Sequence, residues 1–370
     1  MDNEQRTIKK QGVLQAVSTG IGRILFAVFV PAVTFLVLWR GFIFLRDSGA
    51  PQLVITVVAI IWGVGGVVAL YFVANWVIQR FPVAWRTRFV PFLFVGPGVI
   101  IMAWYLFIPT LRSLYLSFFD KFSKTFVGFE NYKYVFTDRT MLVAFRNNVL
   151  WLVLGTGLCV VLGLIIALLA DRSKFERVAK SLIFLPMAIS FVGAGVIWKF
   201  IYAYKAAGLE QIGLLNAIVT ALGGEPVGWF TVRPCNTIFL IIILVWLQTG
   251  FAMVILSAAI KGVPKELVEA ARIDGAKEMR IIFSIVIPYI KSTLITVSTA
   301  ILLITLKVFD IVYAMTNGLY GTEVLASQQY KQMFKFLHYG RGSAIAIVIF
   351  LAVIPVIWYN LKQFSQREVF

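Results

Sequence analysis

Long apolar segments separated by short polar ones follow one another along most of the chain. A helix needs about 20 mostly apolar residues to cross a bilayer. Eight segments meet that length: 24–45, 53–78, 90–111, 148–170, 182–203, 237–260, 288–312 and 343–362. The pattern therefore predicts an all-α membrane protein with eight transmembrane helices.

The composition supports the membrane class. Of the 370 residues, 60% are apolar and 14% are charged, and the mean hydropathy is +0.88. Soluble domains are about 45–50% apolar and about 25% charged. A water-soluble fold of this size has too little polar surface to cover so many apolar side chains. Two cysteines cannot hold 370 residues together either, which excludes a disulfide scaffold.

The formal net charge is +17, because 34 Lys and Arg stand against 17 Asp and Glu. These charges fall in short runs between the apolar segments, so we expect no nucleic-acid partner. With the N-terminus in the cytoplasm, basic residues are about twice as dense in the inner segments as in the outer ones, as the positive-inside rule requires. Both termini are therefore predicted to be cytoplasmic.

Motifs for catalysis and energy conversion are absent from the sequence. It contains no G-x-x-x-x-G-K-[ST] phosphate loop and no G-x-S-x-G nucleophile motif. The single His338 has no Cys or His companions for a metal site. Few ionisable residues lie within or beside the predicted spans: Lys199, Lys291, Lys307 and Asp310. Because gradient-driven transporters usually need such groups deep in the membrane, the pattern argues against that class and predicts no catalytic residue and no metal site.

The segment 261–288, KGVPKELVEAARIDGAKEMRIIFSIVIP, lies between two predicted spans on the cytoplasmic side. Pro264 is placed to begin a helix, and Gly275 is placed to end it in the left-handed conformation. Four apolar residues approximate one face of this helix: Leu267, Val268, Ala271 and Ile273. Composition leaves two interpretations open. The helix rests on lipid, or it docks on a partner protein, with Ala270 at a close contact and Glu269 as a charge for that partner.

This segment resembles the E-A-A-x3-G-x9-I-x-L-P loop in the permeases of binding-protein-dependent ABC importers, with Ile287 in place of the leucine. In that family the loop contains the coupling helix, which sits in a groove of the ATPase subunit. It transmits nucleotide-driven closure of the ATPase to the membrane spans. The resemblance implies an ATPase-coupling role for seven residues: Glu269, Ala270, Ala271, Asp274, Gly275, Ile285 and Pro288.

Further motifs resemble the carbohydrate branch of that family, the maltose-type permeases. They are 126–132 (F-x-G-x-x-N-Y), 145–148 and 309–318 (F-D-x-I-Y-x-L-T-x-G). The segments 198–204 and 316–326 are most similar to α-glucoside and glucosylglycerol permeases. The matches imply a six-helix type I importer permease core at 90–370. A cytoplasmic N-terminus and two extra transmembrane helices at 1–89 precede it.

The resemblance also implies a sugar site at two interrupted spans. The segment 246–251 places polar groups and a glycine inside an apolar run, and Phe309 and Tyr313 share a helical face. The implied substrate-binding residues are Gln248, Gly250, Phe251, Phe309, Asp310 and Tyr313. The alternative is structural. Gln248 and Thr249 would then be interhelical hydrogen-bonding groups, the aromatic residues would be interface belts, and Asp310 would be a cap at the membrane boundary.

The family resemblance implies an assembly. A second permease completes a heterodimer, two ATPase subunits bind ATP and Mg²⁺, and an extracytoplasmic solute-binding protein delivers the sugar. This chain itself would bind no cofactor and would lie in the bacterial cytoplasmic (inner) membrane. The expected cargo is an α-glucoside or an oligosaccharide, moved into the cytoplasm by ATP-driven alternating access. The alternatives are glucosylglycerol or glycerol phosphate in the same family and, in a different class, a gradient-driven secondary sugar transporter.

Overall fold

The computed structural model describes residues 29–171 and 173–365. Within these ranges the chain is nearly all helical, and the one pairing of β type is an isolated bridge between Phe119 and Phe126. The first five residues of the predicted span 24–45 lie outside the described residues, as do both chain ends. The prediction of an all-α membrane protein is confirmed.

The chain divides into two compact units, Met1–Pro109 and Thr110–Phe370. In the described part of unit 1, helices α1 (Phe29–Asp47) and α2 (Gln52–Ile78) precede α3 (Val83–Leu116), and the division falls within α3. Most side chains of these helices are exposed, which suits helices that face lipid. A functional boundary after residue 89 stays a prediction.

In the part of unit 2 that the structure describes, which contains both candidate sites, the chain continues with twelve α-helices. They are α4 (Glu130–Thr137), α5 (Arg139–Ala170), α6 (Glu176–Ala188), α7 (Phe191–Ile201), α8 (Leu214–Ala221), α9 (Asn236–Lys261), α10 (Lys265–Ile273), α11 (Glu278–Tyr289), α12 (Lys291–Leu306), α13 (Asp310–Met315), α14 (Leu325–Tyr330) and α15 (Tyr339–Ser365). A π-helical turn, Lys331–Lys335, continues α14.

Six helices in the described ranges are long and apolar enough to cross a membrane, and eight spans result when each of two bent pairs counts as one. The pairs are α6 with α7, bent by 103°, and α11 with α12, bent by 73°. These two pairs overlap the predicted spans 182–203 and 288–312. Each pair contains proline, which donates no backbone hydrogen bond and weakens the helical ladder beside the bend.

The predicted span 288–312 is wrong in its C-terminal bound. Helix α12 ends at Leu306, and a separate short helix, α13, begins at Asp310. Lys307 and Phe309 both have non-helical backbone angles. The break moves Phe309 and Tyr313 away from the long span and onto an independent element. Irregular backbone at membrane depth is tolerated where protein covers it or where it lines a cavity.

Helix α9 forms the centre of unit 2, with most of its side chains buried. It packs closely against α5, because a Cβ added at Gly163 would lie 2.6 Å from the Cβ of Ala252. At Gly250 the added Cβ would lie 2.4 Å from the carbonyl oxygen of Ile183 in α6. Small residues at these crossings allow the helix backbones to approach, as in other membrane bundles.

Candidate functional site

Helix α10 forms where the sequence predicted a helix between Pro264 and Gly275. Gly275 has a φ of +78°, a conformation that costs little only for glycine. Its N–H donates to the carbonyl of Arg272 at 3.0 Å, and the N–H of Ala276 donates to the carbonyl of Ala271 at 3.0 Å. These two bonds form the Schellman motif that closes a helix. The prediction of a short helix ended by a left-handed glycine is confirmed.

The apolar residues of α10 do not form the single face that the sequence suggested. Val268 and Ala271 pack against the core of unit 2. Leu267 and Ile273 instead remain 48% and 86% exposed, and Ala270 between them is also exposed. Residues 267, 270 and 273 follow at intervals of three and so form a second, adjacent face. We call this exposed face, Leu267, Ala270 and Ile273, the coupling face, after the role that the sequence predicts for this loop.

The other residues predicted to couple to an ATPase differ in burial. Glu269, Asp274 and Pro288 are exposed, whereas Ile285 is half-buried and packs against the core. Beneath α10 lies a groove of about 650 Å³. Its charged lining residues come from five different helices or their ends: Asp171, Glu176, Lys261, Lys265, Glu269, Arg272 and Glu278. The motif therefore combines residues that hold α10 in place with residues that face outward.

An ion pair connects α10 to α11. The Nε of Arg272 donates to Oε1 of Glu278 at 2.8 Å, and the side chains are 52% and 43% exposed. This hydrogen bond raises the pKa of the Arg272 guanidinium. Because both side chains are largely in water, the pair holds the orientation of α10 only weakly.

A second charged cluster ties together the ends of α5, α6 and α9. Lys180 contacts Asp171, Ser257 and Glu176, the last at 2.6 Å. The hydroxyl of Ser257 donates to Asp171 at 2.7 Å, and Lys261 pairs with Glu176. Sequence reasoning missed this cluster. The i, i+4 spacing of Glu176 and Lys180 was a visible signal, whereas the contact between Asp171 and Ser257 spans 86 positions.

At the other end of α9, asparagine side chains hold the loop between α13 and α14. The amide of Asn147 donates to the carbonyls of Gly321 and Glu323, both at 2.7 Å. The amide oxygen of Asn148 accepts from the N–H of Leu325 at 2.7 Å. Asn236 donates to the carbonyl of Tyr320 at 2.9 Å. Helices α5 and α9 thus fix a loop that lies far from them in sequence.

The same loop contains a buried ion pair. Lys331 contacts the carboxylate of Glu323, and their side chains are only 12% and 9% exposed. Ser327 donates to the carboxylate of Glu323 at 2.5 Å. Lys331 also donates to the carbonyl of Asn317, just beyond α13, at 2.7 Å. The pair therefore joins the segment after α13 to the end of α14.

Four aromatic rings meet beside this ion pair, and we call them the aromatic quartet: Phe309, Tyr313, Tyr330 and Phe334. Phe309 stacks on Tyr313 with ring centroids 5.0 Å apart. Tyr330 lies 5.2–5.3 Å from each of the other three rings. The shared face of Phe309 and Tyr313 is confirmed. Sequence reasoning missed Tyr330 and Phe334, although their i, i+4 spacing was a usable signal.

The remaining predicted sugar-site residues do not join the quartet. Gln248 lies on α9 between Leu244 and Ala252, the residues that face Gly155 and Gly163 of α5. Its Oε1 is buried and has no hydrogen-bond partner among the described residues.

Three more residues complete that set. Gly250 contacts α6, and Phe251 packs against the core. Asp310 is half-buried as the first residue of α13. The predicted set is therefore distributed over two regions.

Among the described residues, no group of three or more His, Cys, Asp or Glu side chains could hold a metal ion. The long apolar helices, the two bent pairs and the short surface helix α10 define a multi-pass membrane transport component. Residues 159–369 match the family of binding-protein-dependent transport system inner membrane components. The chain belongs to this family, which confirms the resemblance drawn from the coupling-loop motif.

Two relatives cover much of the chain. The osmoprotective compounds uptake permease protein GgtC of Synechocystis sp. is 58% identical over 276 residues, which are 75% of this chain and 99% of that protein. The alpha-glucoside transport system permease protein AglF of Rhizobium meliloti is 50% identical over 279 residues, 75% of this chain and 83% of that protein.

A solved structure has the same fold. It is the crystal structure of a bacterial ABC transporter involved in the import of the acidic polysaccharide alginate. One of its chains matches with a TM-score of 0.65 and 18% identity, covering 77% of this chain and 98% of that one.

Proposed function

We propose that the chain is a transmembrane subunit of an ABC importer that moves an α-glucoside or a related oligosaccharide into the cytoplasm. The observation that carries the proposal is the coupling face. A helix of nine residues, closed by Gly275, presents Leu267 and Ile273 to the outside. Exposed apolar side chains on a short, well-anchored helix favour docking on a protein. Two relatives at 58% and 50% identity are named as an uptake permease and as a permease of an alpha-glucoside transport system, which supports the same function.

The remaining parts of the importer follow from the family. A second permease completes the membrane channel, and two ATPase subunits bind ATP and Mg²⁺ and receive the coupling face. A solute-binding protein delivers the sugar on the outer side. This chain lies in the cytoplasmic membrane, with both termini and α10 on the cytoplasmic side, as the distribution of basic residues favours.

The coupling step requires that movement of α10 reaches the membrane helices. Ala271 and Ile285 pack against the core of unit 2, so α10 and α11 are mechanically joined to it. Glu269 and Asp274 are exposed beside the coupling face, where an ATPase side chain can pair with them. ATP-driven closure of the ATPases would displace α10 and move the spans from an inward-facing to an outward-facing arrangement.

The sugar is proposed to contact Phe309, Tyr313 and Asp310, where aromatic faces and polar atoms lie together. Sugar rings present C–H groups that pack on aromatic faces and hydroxyls that bind polar side chains. Tyr313 is 42% exposed, so its ring is accessible. The buried residues Gln248, Gly250 and Phe251 would contact sugar after a rearrangement of α9 or would act by supporting the site.

The decisive experiment reverses one charge beside the coupling face. We expect Glu269→Lys to abolish α-glucoside uptake and to reduce recovery of the ATPase when the tagged chain is purified from membranes. Glu266→Lys is the matched control, because Glu266 is an exposed glutamate in the first turn of the same helix. Unchanged uptake and normal ATPase recovery for Glu269→Lys would contradict the coupling role. Uptake that stops with the proton gradient while ATP persists would favour the gradient-driven alternative.

A further inference from the structure

We propose that Tyr330 and Phe334 form a second wall of the sugar site, continuous with Phe309 and Tyr313, and contact the pyranose ring of a neutral glucoside beside them. This inference rests on the proposed function and extends it to residues outside the predicted site. It gives the π-helical turn after α14 a role in substrate specificity.

The position of Tyr330 carries the argument. Its ring is the only one of the four that contacts all three others in the described pairs, with centroids 5.2 Å from Phe309 and 5.3 Å from both Tyr313 and Phe334. Tyr330 is half-buried, whereas Tyr313 and Phe334 are 42% and 61% exposed. The quartet therefore has a packed centre and accessible outer rings, as a binding surface requires.

The chemistry of these rings suits a sugar better than a purely apolar ligand. A hydrogen bond with the Tyr313 hydroxyl raises the pKa of Tyr330. Two neighbouring phenols can each donate and accept a hydrogen bond, so they can exchange their mutual bond for bonds to sugar hydroxyls. The aromatic faces then receive the C–H surface of the ring. Phe334 adds apolar contact area and has no polar group that needs a hydrogen-bond partner.

The surroundings hold Tyr330 in place before any ligand arrives. Lys331, the next residue, is bound to Glu323 and to the carbonyl of Asn317. Asn148 accepts from the backbone of Leu325 at the start of α14. Fixing a binding side chain in advance reduces the entropy cost of binding. Glu323 and Lys331 neutralise each other, which leaves no unbalanced charge from this pair and favours an uncharged ligand.

The test compares three leucine variants, which keep apolar volume and remove the aromatic face. Tyr330→Leu and Phe334→Leu alter the second wall. Phe336→Leu is the matched control, because Phe336 is 49% exposed nearby and has no ring contact with the quartet among the described pairs. Each variant is produced in the complete importer. Uptake of radiolabelled maltose and of glucosylglycerol is measured, together with recovery of the second permease and the ATPases.

We expect kcat/KM for uptake to fall about tenfold in Tyr330→Leu and a few-fold in Phe334→Leu, with normal recovery of partner subunits. Phe336→Leu should match the wild type. Tyr330→Phe keeps the ring and should lose only about two- to threefold, which separates stacking from the hydroxyl contribution. A change in the ratio of the two substrates would identify the wall as a specificity determinant.

Two results would overturn this assignment. Normal uptake of both sugars in Tyr330→Leu and Phe334→Leu would show that the second wall does not contact the substrate. Loss of the second permease from the purified complex would instead show that these rings lie in the subunit interface. The proposed function has its own test, since it fails when the wild-type importer takes up neither sugar in an ATP-dependent way.

Discussion

Two ion pairs of the same chemistry lie at the two ends of α9 and differ in burial. Arg272 and Glu278 connect α10 to α11 with side chains 52% and 43% exposed. Lys331 and Glu323 lie beside the aromatic quartet with side chains 12% and 9% exposed. Exposed pairs contribute little to stability, whereas a buried charge that loses its partner is strongly destabilising. The exposed pair therefore holds α10 weakly, whereas the buried pair holds the segment beside the aromatic quartet firmly.

The difference in burial agrees with the roles proposed for the two ends, which are ATPase coupling and sugar binding. A coupling helix must follow a moving ATPase, so a weak, water-exposed pair and an apolar outer face suit it. A sugar site must present its rings in one geometry, and a buried pair with three further hydrogen-bonded asparagines suits that. At the first end, α10 itself is held by its ion pair with α11 and by packing of Val268 and Ala271 on the core, while the charged cluster beside it joins segments 77–86 positions apart. The second is held by contacts between segments more than 80 positions apart.

The largest expected effect comes from breaking the buried pair. Lys331→Met leaves the carboxylate of Glu323 buried without its cation, and we expect a loss of about 3–5 kcal/mol in stability. Thermal unfolding of the purified importer in detergent measures it. Lys335→Met, an exposed lysine in the same π-helical turn, is the control. A double variant with Glu323→Gln should recover part of the loss, and equal melting of all three variants would contradict the comparison.

A smaller effect is expected from removing one asparagine contact. Asn148→Ala leaves the buried N–H of Leu325 without its acceptor, and we expect a cost of about 1–3 kcal/mol. Limited proteolysis of the loop between α13 and α14 would report the loosening directly. Asn148→Asp keeps the acceptor and should protect the loop better than alanine does. If both variants are cleaved at the wild-type rate, this bond does not hold the loop.

At the other end, Gly275→Ala tests the closure of α10. A side chain at a φ of +78° is strained, so we expect a cost of about 1 kcal/mol. The visible result should be faster amide hydrogen exchange in α10 and lower sugar uptake, with normal membrane insertion. Gly262→Ala is the control, because Gly262 has a φ of −78° in the same segment. Equal exchange in the two variants would argue against a role for the left-handed cap.

The smallest effect is expected for the exposed pair. Arg272→Gln should lower stability only slightly, and added salt should reduce the difference further. The raised pKa of Arg272 keeps its guanidinium charged until pH rises through that high pKa. Across the physiological range, titration of Arg272 should therefore cause no change of stability with pH. If Arg272→Gln lost as much stability as Lys331→Met, the contrast between the two ends would be contradicted.

Much of the architecture was predictable from periodicity and spacing. The apolar segments predicted the membrane helices, and the Pro264 and Gly275 signals predicted α10. These features depend on local chemistry, since a span needs only length and hydropathy, and a left-handed cap needs only glycine. The breaks in the fifth and seventh apolar segments were not predicted in full. In the seventh, α13 is separated from α12 by three residues whose angles depend on neighbouring helices.

The candidate sites were predictable to different extents. The predicted coupling residues lie within one short segment, so a contiguous motif was enough to propose them. Only half of the aromatic quartet, where the sugar is proposed to bind, was predicted, because Phe309 and Tyr313 are four positions apart at α13 while Tyr330 and Phe334 lie at α14 and the turn after it. Gln248 had the right chemistry for a sugar contact, yet the packing of α9 turns it toward α5.

Local chemistry in the sequence was sufficient for the membrane class, the number of apolar segments, the short helix α10 and the family. Each of these depends on composition or on residues close together in the chain. Tertiary structure decided which face of α10 is exposed, where the seventh span breaks, and which rings and charges meet near Tyr330. Those outcomes depend on distances between residues far apart in sequence, and only helix packing brings such residues within contact range.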